Sequence, residues 1–264
     1  MIKKKKRQDA KSLNVKVKLI LTSFFVKLSW IFSARICQAG DLQFSQKLSN
    51  CIKKFCSRNN ITDLVFVPYA QNDFNGYTAK IKEVIDPWGF TVTGLHTYPD
   101  AADAINSAKA VFVGGGNTFL LLHRLYEKNL VSLIKRKVDE GSLVYMGSSA
   151  GTNVGTKSIH TTNDMPIIYP PTFDAIGIVP FNINPHYIDK IESETHKGET
   201  RDQRIQEYME MEHAAPVLGL REGAMLHVDG NTLTLKGVAG AILFKKGGAK
   251  EDFPVGSNIS FLFN

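Results

Sequence analysis

The chain has 264 residues, 43% of them hydrophobic and 22% charged, with three cysteines. That length and balance suit a packed core of ordinary size and exclude wholesale disorder, collagen-like repeats, a polytopic membrane protein and a dense disulfide scaffold. The formal charge of +7 is local: eight basic residues and one acid, Asp9, fall within residues 1–18, and the rest of the chain holds 24 basic and 24 acidic side chains, so a near-neutral body gives little reason to expect a nucleic-acid partner.

The first forty residues admit three readings. Val15, Val17, Leu19 and Leu21 alternate with Lys16, Lys18 and Ile20, as in a first strand followed by an insertion. The basic start, the apolar run Leu19–Ile36 and the stretch ICQAG also fit a targeting segment. A membrane-surface anchor is the third; a span is excluded because Lys27 and Arg35 interrupt the run. From Leu42 onward, strand-like and helix-like segments alternate. Ile61–Val67, Gly89–Leu95, Ala110–Val113 and Ser142–Met146 read as strands, and Phe119–Ile134 as one helix. Met225–Val228 and Thr232–Leu235, around Asp229-Gly230-Asn231, read as a hairpin. Strands separated by helix-length segments predict an α/β fold, a doubly wound, mostly parallel sheet flanked by helices, with a C-terminal hairpin. With no linker or repeat, the expected organisation is an extension over residues 1–40 and one domain over 41–264.

Gly147-Ser148-Ser149-Ala150-Gly151 matches G-x-S-x-G directly after the strand-like LVYM. A nucleophile at a sharp strand-to-helix turn needs small neighbours, and the helix that follows favours developing negative charge, which makes Ser149 the nucleophile candidate. The alternative is a plain Gly/Ser turn. Val113-Gly114-Gly115-Gly116-Asn117-Thr118 likewise joins a strand to a helix. Its bare amides suit an oxyanion hole or a phosphate, but Phe119 breaks the dinucleotide fingerprint and the Gly-Lys pair of a P-loop is absent. Among seven histidines, His186 follows Asn184-Pro185 at a strand end and is placed to act as a base, with His160 and His196 as rivals. His123 and His227 read as structural. Asp164, Asp174, Asp189 and Glu222 all lie downstream of Ser149, and spacing does not choose among them as the orienting acid. No H-E-x-x-H, C-x-x-C or paired His/Cys cluster occurs, so neither a metal nor a redox cofactor is expected. Cys51 and Cys56 read as idle thiols of a reducing compartment, hence a cytoplasmic location.

VGGGNTF (113–119), GSSAGTN (147–153), TTNDMPI (161–167), INPHY (183–187) and HKGETRDQR (196–204) together resemble, in order, the motifs of the peptidase E family of alpha-aspartyl dipeptidases. The resemblance covers roughly residues 40–245. It implies a serine peptidase with a fold related to class I glutamine amidotransferase domains, free of metal, acting on dipeptides with an N-terminal aspartate; the chain itself is expected to be a monomer or homodimer. Carried onto this sequence, Ser149 looks like the nucleophile and His186 like its base. The amides of Gly116 and Ala150 look like the oxyanion hole. Both Asp164, in TTNDMP, and Glu222, in LREG, match positions viewed as the third member. Arg201 would grip the substrate carboxylate and Glu199 its ammonium group; read without the resemblance, Arg201, Asp202 and Arg204 are surface ion pairs at a helix start capped by Thr200. Ser148 stands where bacterial relatives often carry a bulkier residue such as Trp. The alternatives are a cyanophycinase-like peptidase, an esterase, or an inactive binding homologue on the same scaffold.

Overall fold

A computed structural model describes residues 18–22, 39–189 and 198–263. Its main sheet has the order β3-β2-β4-β5-β1-β8-β9. The strands are β1 (Lys18–Thr22), β2 (Asp63–Val67), β3 (Thr91–Gly94), β4 (Ala110–Val113), β5 (Val144–Ser148), β8 (Ala224–Asp229) and β9 (Thr232–Gly237). The first five pair in parallel, whereas β8 runs antiparallel to β1 and β9 antiparallel to β8. The first strand expected around Leu19 is therefore present; Val15, Val17, Cys37, His196 and the targeting and anchor readings lie outside the described residues. The hairpin is β8–β9.

Alternation along these strands explains why both faces are covered. Leu19, Leu21, Val65 and Val67 enter one apolar core, while Ile20, Leu64 and Phe66 enter another. The second core is roofed by α1 (Ala39–Arg58) and α2 (Phe74–Ile85), through Phe55, Cys56, Tyr77 and Ile81. The opposite face is covered by α3 (Ala101–Ser107), α4 (Thr118–Glu127), α5 (Leu130–Asp139) and α6 (Ala150–Gly155), through Ile105, Leu121, Leu125, Ile134 and Val154. The helix starts are set locally: Asp73, Asp100 and Asn117 each accept a backbone N–H three residues on, at 2.8, 2.8 and 3.0 Å. The single helix expected over Phe119–Ile134 is two, because Asn129 adopts a left-handed φ of 54°. Asparagine tolerates that conformation, and it ends one helix and starts the next.

A second sheet had no counterpart in the sequence reading. It has the order β11-β10-β7-β6, built from β6 (Asn182–Tyr187), β7 (Val217–Arg221), β10 (Ala241–Phe244) and β11 (Glu251–Phe253). Strands β6 and β7 are parallel, and the other pairs antiparallel. One face, with Ile183, Leu218, Leu220 and Leu243, joins the main core. The other, with Tyr187, Val217, Ile242 and Phe244, packs beneath α7 (Arg201–Glu210) through Ile205 and Met209. Among the described residues no helix is long and apolar enough to cross a membrane.

Candidate active site

Ser149 sits between β5 and α6 with φ 53° and ψ −110°. A non-glycine residue in such a conformation carries about 1–3 kcal/mol of strain and persists only where its surroundings hold it. They do. Its N–H donates to the Thr22 carbonyl (3.0 Å), and its own carbonyl accepts from the amides of Thr152 and Asn153 at 2.8 and 3.0 Å. The Thr152 hydroxyl donates to the Thr22 carbonyl (2.7 Å) and accepts from the Thr22 amide (3.1 Å), so strand β1 and the helix start are stitched together. Gly151 is required for a separate reason: a Cβ there would strike the carbonyl of Val113 on β4. The G-x-S-x-G spacing thus reflects close packing of the turn against its neighbour strand.

His186 is the counterpart on the second sheet. The pairing of β6 with β7 shifts register between Pro185 and Tyr187, leaving His186 as the extra residue, at φ 55°. A bulge of this kind re-aims a side chain. Here Nε2 lies 2.9 Å from Ser149 Oγ and Nδ1 lies 2.5 Å from Glu222 Oε2. Glu222 immediately follows β7, so two parallel neighbour strands deliver the imidazole and the carboxylate at the same edge. A carboxylate only accepts, so Nδ1 carries the proton facing Glu222, and Nε2 is left to accept from the seryl hydroxyl.

The other acidic candidates go elsewhere. Asp164 Oδ2 accepts from the Thr118 amide (2.8 Å), the Thr118 hydroxyl (2.6 Å) and the Thr162 hydroxyl (3.3 Å). It therefore serves the start of α4, where a negative charge is favoured. Asp189 accepts a two-pronged bond from Arg221, at 2.6 and 3.0 Å, which holds its carboxyl below the usual aspartate range. The backbone carbonyl of Asp174 accepts from Tyr126, and no bond joins its carboxylate to His186 among the described residues. His160 bonds Ser158 Oγ (2.8 Å) and stacks on Tyr208, and no bond joins it to Ser149 among the described residues.

The glycine-rich loop leaves β4 next to the Ser149 turn, since Val113 pairs with Gly147. Gly116 has φ 136°, and a Cβ would sit 2.5 Å from the Ala70 carbonyl, so only glycine lets the loop lie this close to residue 70. Its neighbours are tied down: the amides of Gly114 and Asn117 donate to Val67 and Ala70 at 3.2 and 3.0 Å. The Gly116 amide has no protein acceptor among the described residues. Ala150 is the first residue of α6, where amides lack an intrahelical acceptor.

Arg201 opens α7 behind Thr200, whose hydroxyl and backbone form a reciprocal capping box with Gln203. It is half-buried and has no carboxylate partner within ion-pair distance among the described residues. Burial and the nearby Arg204 push its pKa down, while the field of Asp164 opposes them. Glu199 is turned to Arg204 (3.5 Å), with both side chains more than half exposed. Sequence reasoning missed the bulge at His186 and the contacts of Tyr187, Asp202 and Arg221. A proline and a histidine inside an otherwise apolar strand, at NPHY, were the available signal for the bulge.

A family model for Peptidase family S51 matches residues 37–236. The chain belongs to Peptidase family S51. It is a peptide-bond hydrolase. A Drosophila melanogaster protein named probable alpha-aspartyl dipeptidase is 52% identical over 203 residues, covering 77% of this chain and 84% of that protein. A Streptomyces coelicolor protein named peptidase E is 48% identical over 201 residues, covering 76% and 82%. The solved structure of a peptidase from an acI-B1 actinobacterium superposes with a TM-score of 0.65, over 94% of this chain and 98% of that one; at 15% identity the likeness is one of fold. The expected α/β architecture and the expected family are thus both found.

Proposed function

We propose that this S51 chain is a serine dipeptidase acting on dipeptides with an N-terminal aspartate, through an acyl-enzyme. The observation that carries the reading is the unbroken relay Ser149 Oγ, His186 and Glu222, at 2.9 and 2.5 Å. In this reading His186 Nε2 takes the hydroxyl proton as Oγ attacks the aspartyl carbonyl, and Glu222 stabilises the imidazolium. The oxyanion faces the amides of Gly116 and Ala150, a donor pair in which each member is worth about 10²–10³-fold in rate. The imidazolium then protonates the leaving amine, and the peptide bond breaks to leave an ester on Ser149. Water attacks that ester with His186 again as base, which frees aspartate and restores the hydroxyl.

Arg201 accounts for the acidic preference. A half-buried guanidinium with no carboxylate partner among the described residues is matched by a substrate that brings one, and the fork geometry suits two parallel bonds. Glu199, already engaged with Arg204, is a weaker candidate for the substrate ammonium group than the sequence suggested. The dipeptidase names of the relatives weigh against the longer-peptide and ester alternatives. Free thiols at Cys51 and Cys56 support a cytoplasmic location.

The test is Ser149→Ala assayed on an aspartyl dipeptide such as Asp-Leu, with circular dichroism to show the fold intact. Turnover is expected to fall by about 10⁴-fold or more. Retained turnover in a folded variant would remove Ser149 as the nucleophile.

A further inference from the structure

The first turn of α7 carries Arg201, and one other side chain of that turn reaches out of it. Among the described residues, Thr200 and Gln203 bond each other, and Arg204 bonds the adjacent Glu199. Among the described residues, Asp202 is the one side chain of this turn that bonds to other elements. Its Oδ1 accepts from the Tyr187 hydroxyl at 2.5 Å, and its Oδ2 accepts from Lys250 Nζ at 2.6 Å. Farther along, α7 is held by different means. Ile205 and Met209 are buried against the second sheet, and the Tyr208 hydroxyl accepts from Asn182 Nδ2 and the Ala215 amide, both at 3.0 Å. The helix body is therefore seated independently of Asp202, whereas the turn bearing Arg201 is registered through it.

Tyr187 makes this anchor rigid. It is 2% exposed and directly follows the bulged His186. Its ring lies on Gly219 of β7, where a Cβ would meet ring atom Cδ2 at 2.7 Å. Burial and the Asp202 carboxylate both push its hydroxyl acidity far down, so at any physiological pH it remains a donor. The same residue thus abuts the candidate base along the chain, packs on the strand leading to Glu222, and fixes the candidate substrate clamp through Asp202.

We infer that Asp202, held by Tyr187 and Lys250, is a positioning residue that sets Arg201 at the distance from Ser149 and His186 at which an N-terminal aspartate fits; this rests on the proposed role of Arg201. Asp202 touches no substrate. Its effect is on selection of the acidic side chain rather than on the chemical step.

The experiment compares the full chain with Tyr187→Phe, Asp202→Asn, Arg201→Met and the Asp202→Asn/Arg201→Met double variant. Steady-state kinetics are measured on Asp-Leu and its uncharged isostere Asn-Leu. Tyr187→Phe keeps the ring on Gly219 and guards against loss of fold. Tyr187→Phe and Asp202→Asn should each raise KM for Asp-Leu about tenfold with kcat within about threefold, and lower the Asp-Leu over Asn-Leu preference in kcat/KM by about tenfold. In the double variant, Asp202→Asn should have no further effect on preference, as expected of a residue that acts through another. Equal losses on both substrates, or a preference kept in Asp202→Asn, would overturn the inference. If Arg201→Met itself leaves the preference intact, the proposed clamp fails and this inference with it. A preference lost in Arg201→Met but kept in Asp202→Asn refutes the inference alone.

Discussion

Four non-glycine residues have positive φ among those described, and two of them, Asn60 and Asn129, are of a type that tolerates it. The other two are Ser149 and His186, which face each other across 2.9 Å. Backbone strain is thus concentrated at the two residues whose side chains exchange a proton in the proposed reaction. The same scale separates the two acids that the sequence left level. Glu222 lies on Nδ1, whereas Asp164 serves the Thr118 amide and hydroxyl. Glu222→Gln should therefore lower kcat by about 10²–10⁴-fold, as removal of an orienting carboxylate does elsewhere. Asp164→Asn should weaken the start of α4 by about 1 kcal/mol and disturb binding through Arg201, with a much smaller loss in kcat. Parallel kcat measurements decide the matter, and a larger loss in Asp164→Asn would reverse the assignment. Neither contact was legible in the sequence, because both acids follow Ser149 at unremarkable spacing.

At the scale of elements, the main sheet was legible and the second was not. Strands β2, β4 and β5 announce themselves as short apolar runs between helix-length segments, ending in Pro68, Gly114-Gly115-Gly116 and the G-x-S-x-G turn. Strands β6, β7 and β10 are no shorter than those of the main sheet, but among the described residues β6 pairs with β7 alone, some thirty residues away. Their pairing is a long-range event without a local signature. The motif INPHY located His186, yet why it projects from a strand needed the bulge. The ends of this sheet are joined by Arg221, which bonds Asp189 beyond β6 and Asp252 on β11, at 2.6 and 2.9 Å. It precedes Glu222 in the chain. Arg221→Met should lower the thermal midpoint by a few degrees, reflecting about 1 kcal/mol once the exposure of both aspartates is discounted. It should also reduce kcat severalfold, because the strand ends that carry His186 and Glu222 lose their common tie. A fall in midpoint with kcat unchanged would show the tie to be structural only.

At the scale of the whole molecule, the neutral body beyond residue 18 leaves titration of a few enclosed groups to shape stability near neutral pH. Burial lowers the pKa of His96, His160 and His227, with His213 adding to the effect at His160. A histidine whose folded pKa is depressed binds fewer protons folded than unfolded over the range between the two values. Its contribution is fully present above the unfolded value of about 6.5 and is lost as pH falls through the lower folded value. The thermal midpoint should therefore hold from pH 8 to about 7 and decline from about 6.5 toward 5. Calorimetry in matched ionic strength would read it, and a midpoint that rises over that interval would contradict the burial of these rings.

The seryl oxygen is borne by one sheet and the imidazole by another, with neither turn covalently close to the other. On the proposed mechanism, turnover in this protein is accordingly a caliper across a seam. Anything that wedges the two layers apart by the width of a methyl group, whether a swollen apolar side chain at Ile183 or a mild denaturant, should silence hydrolysis while every helix still reads as folded.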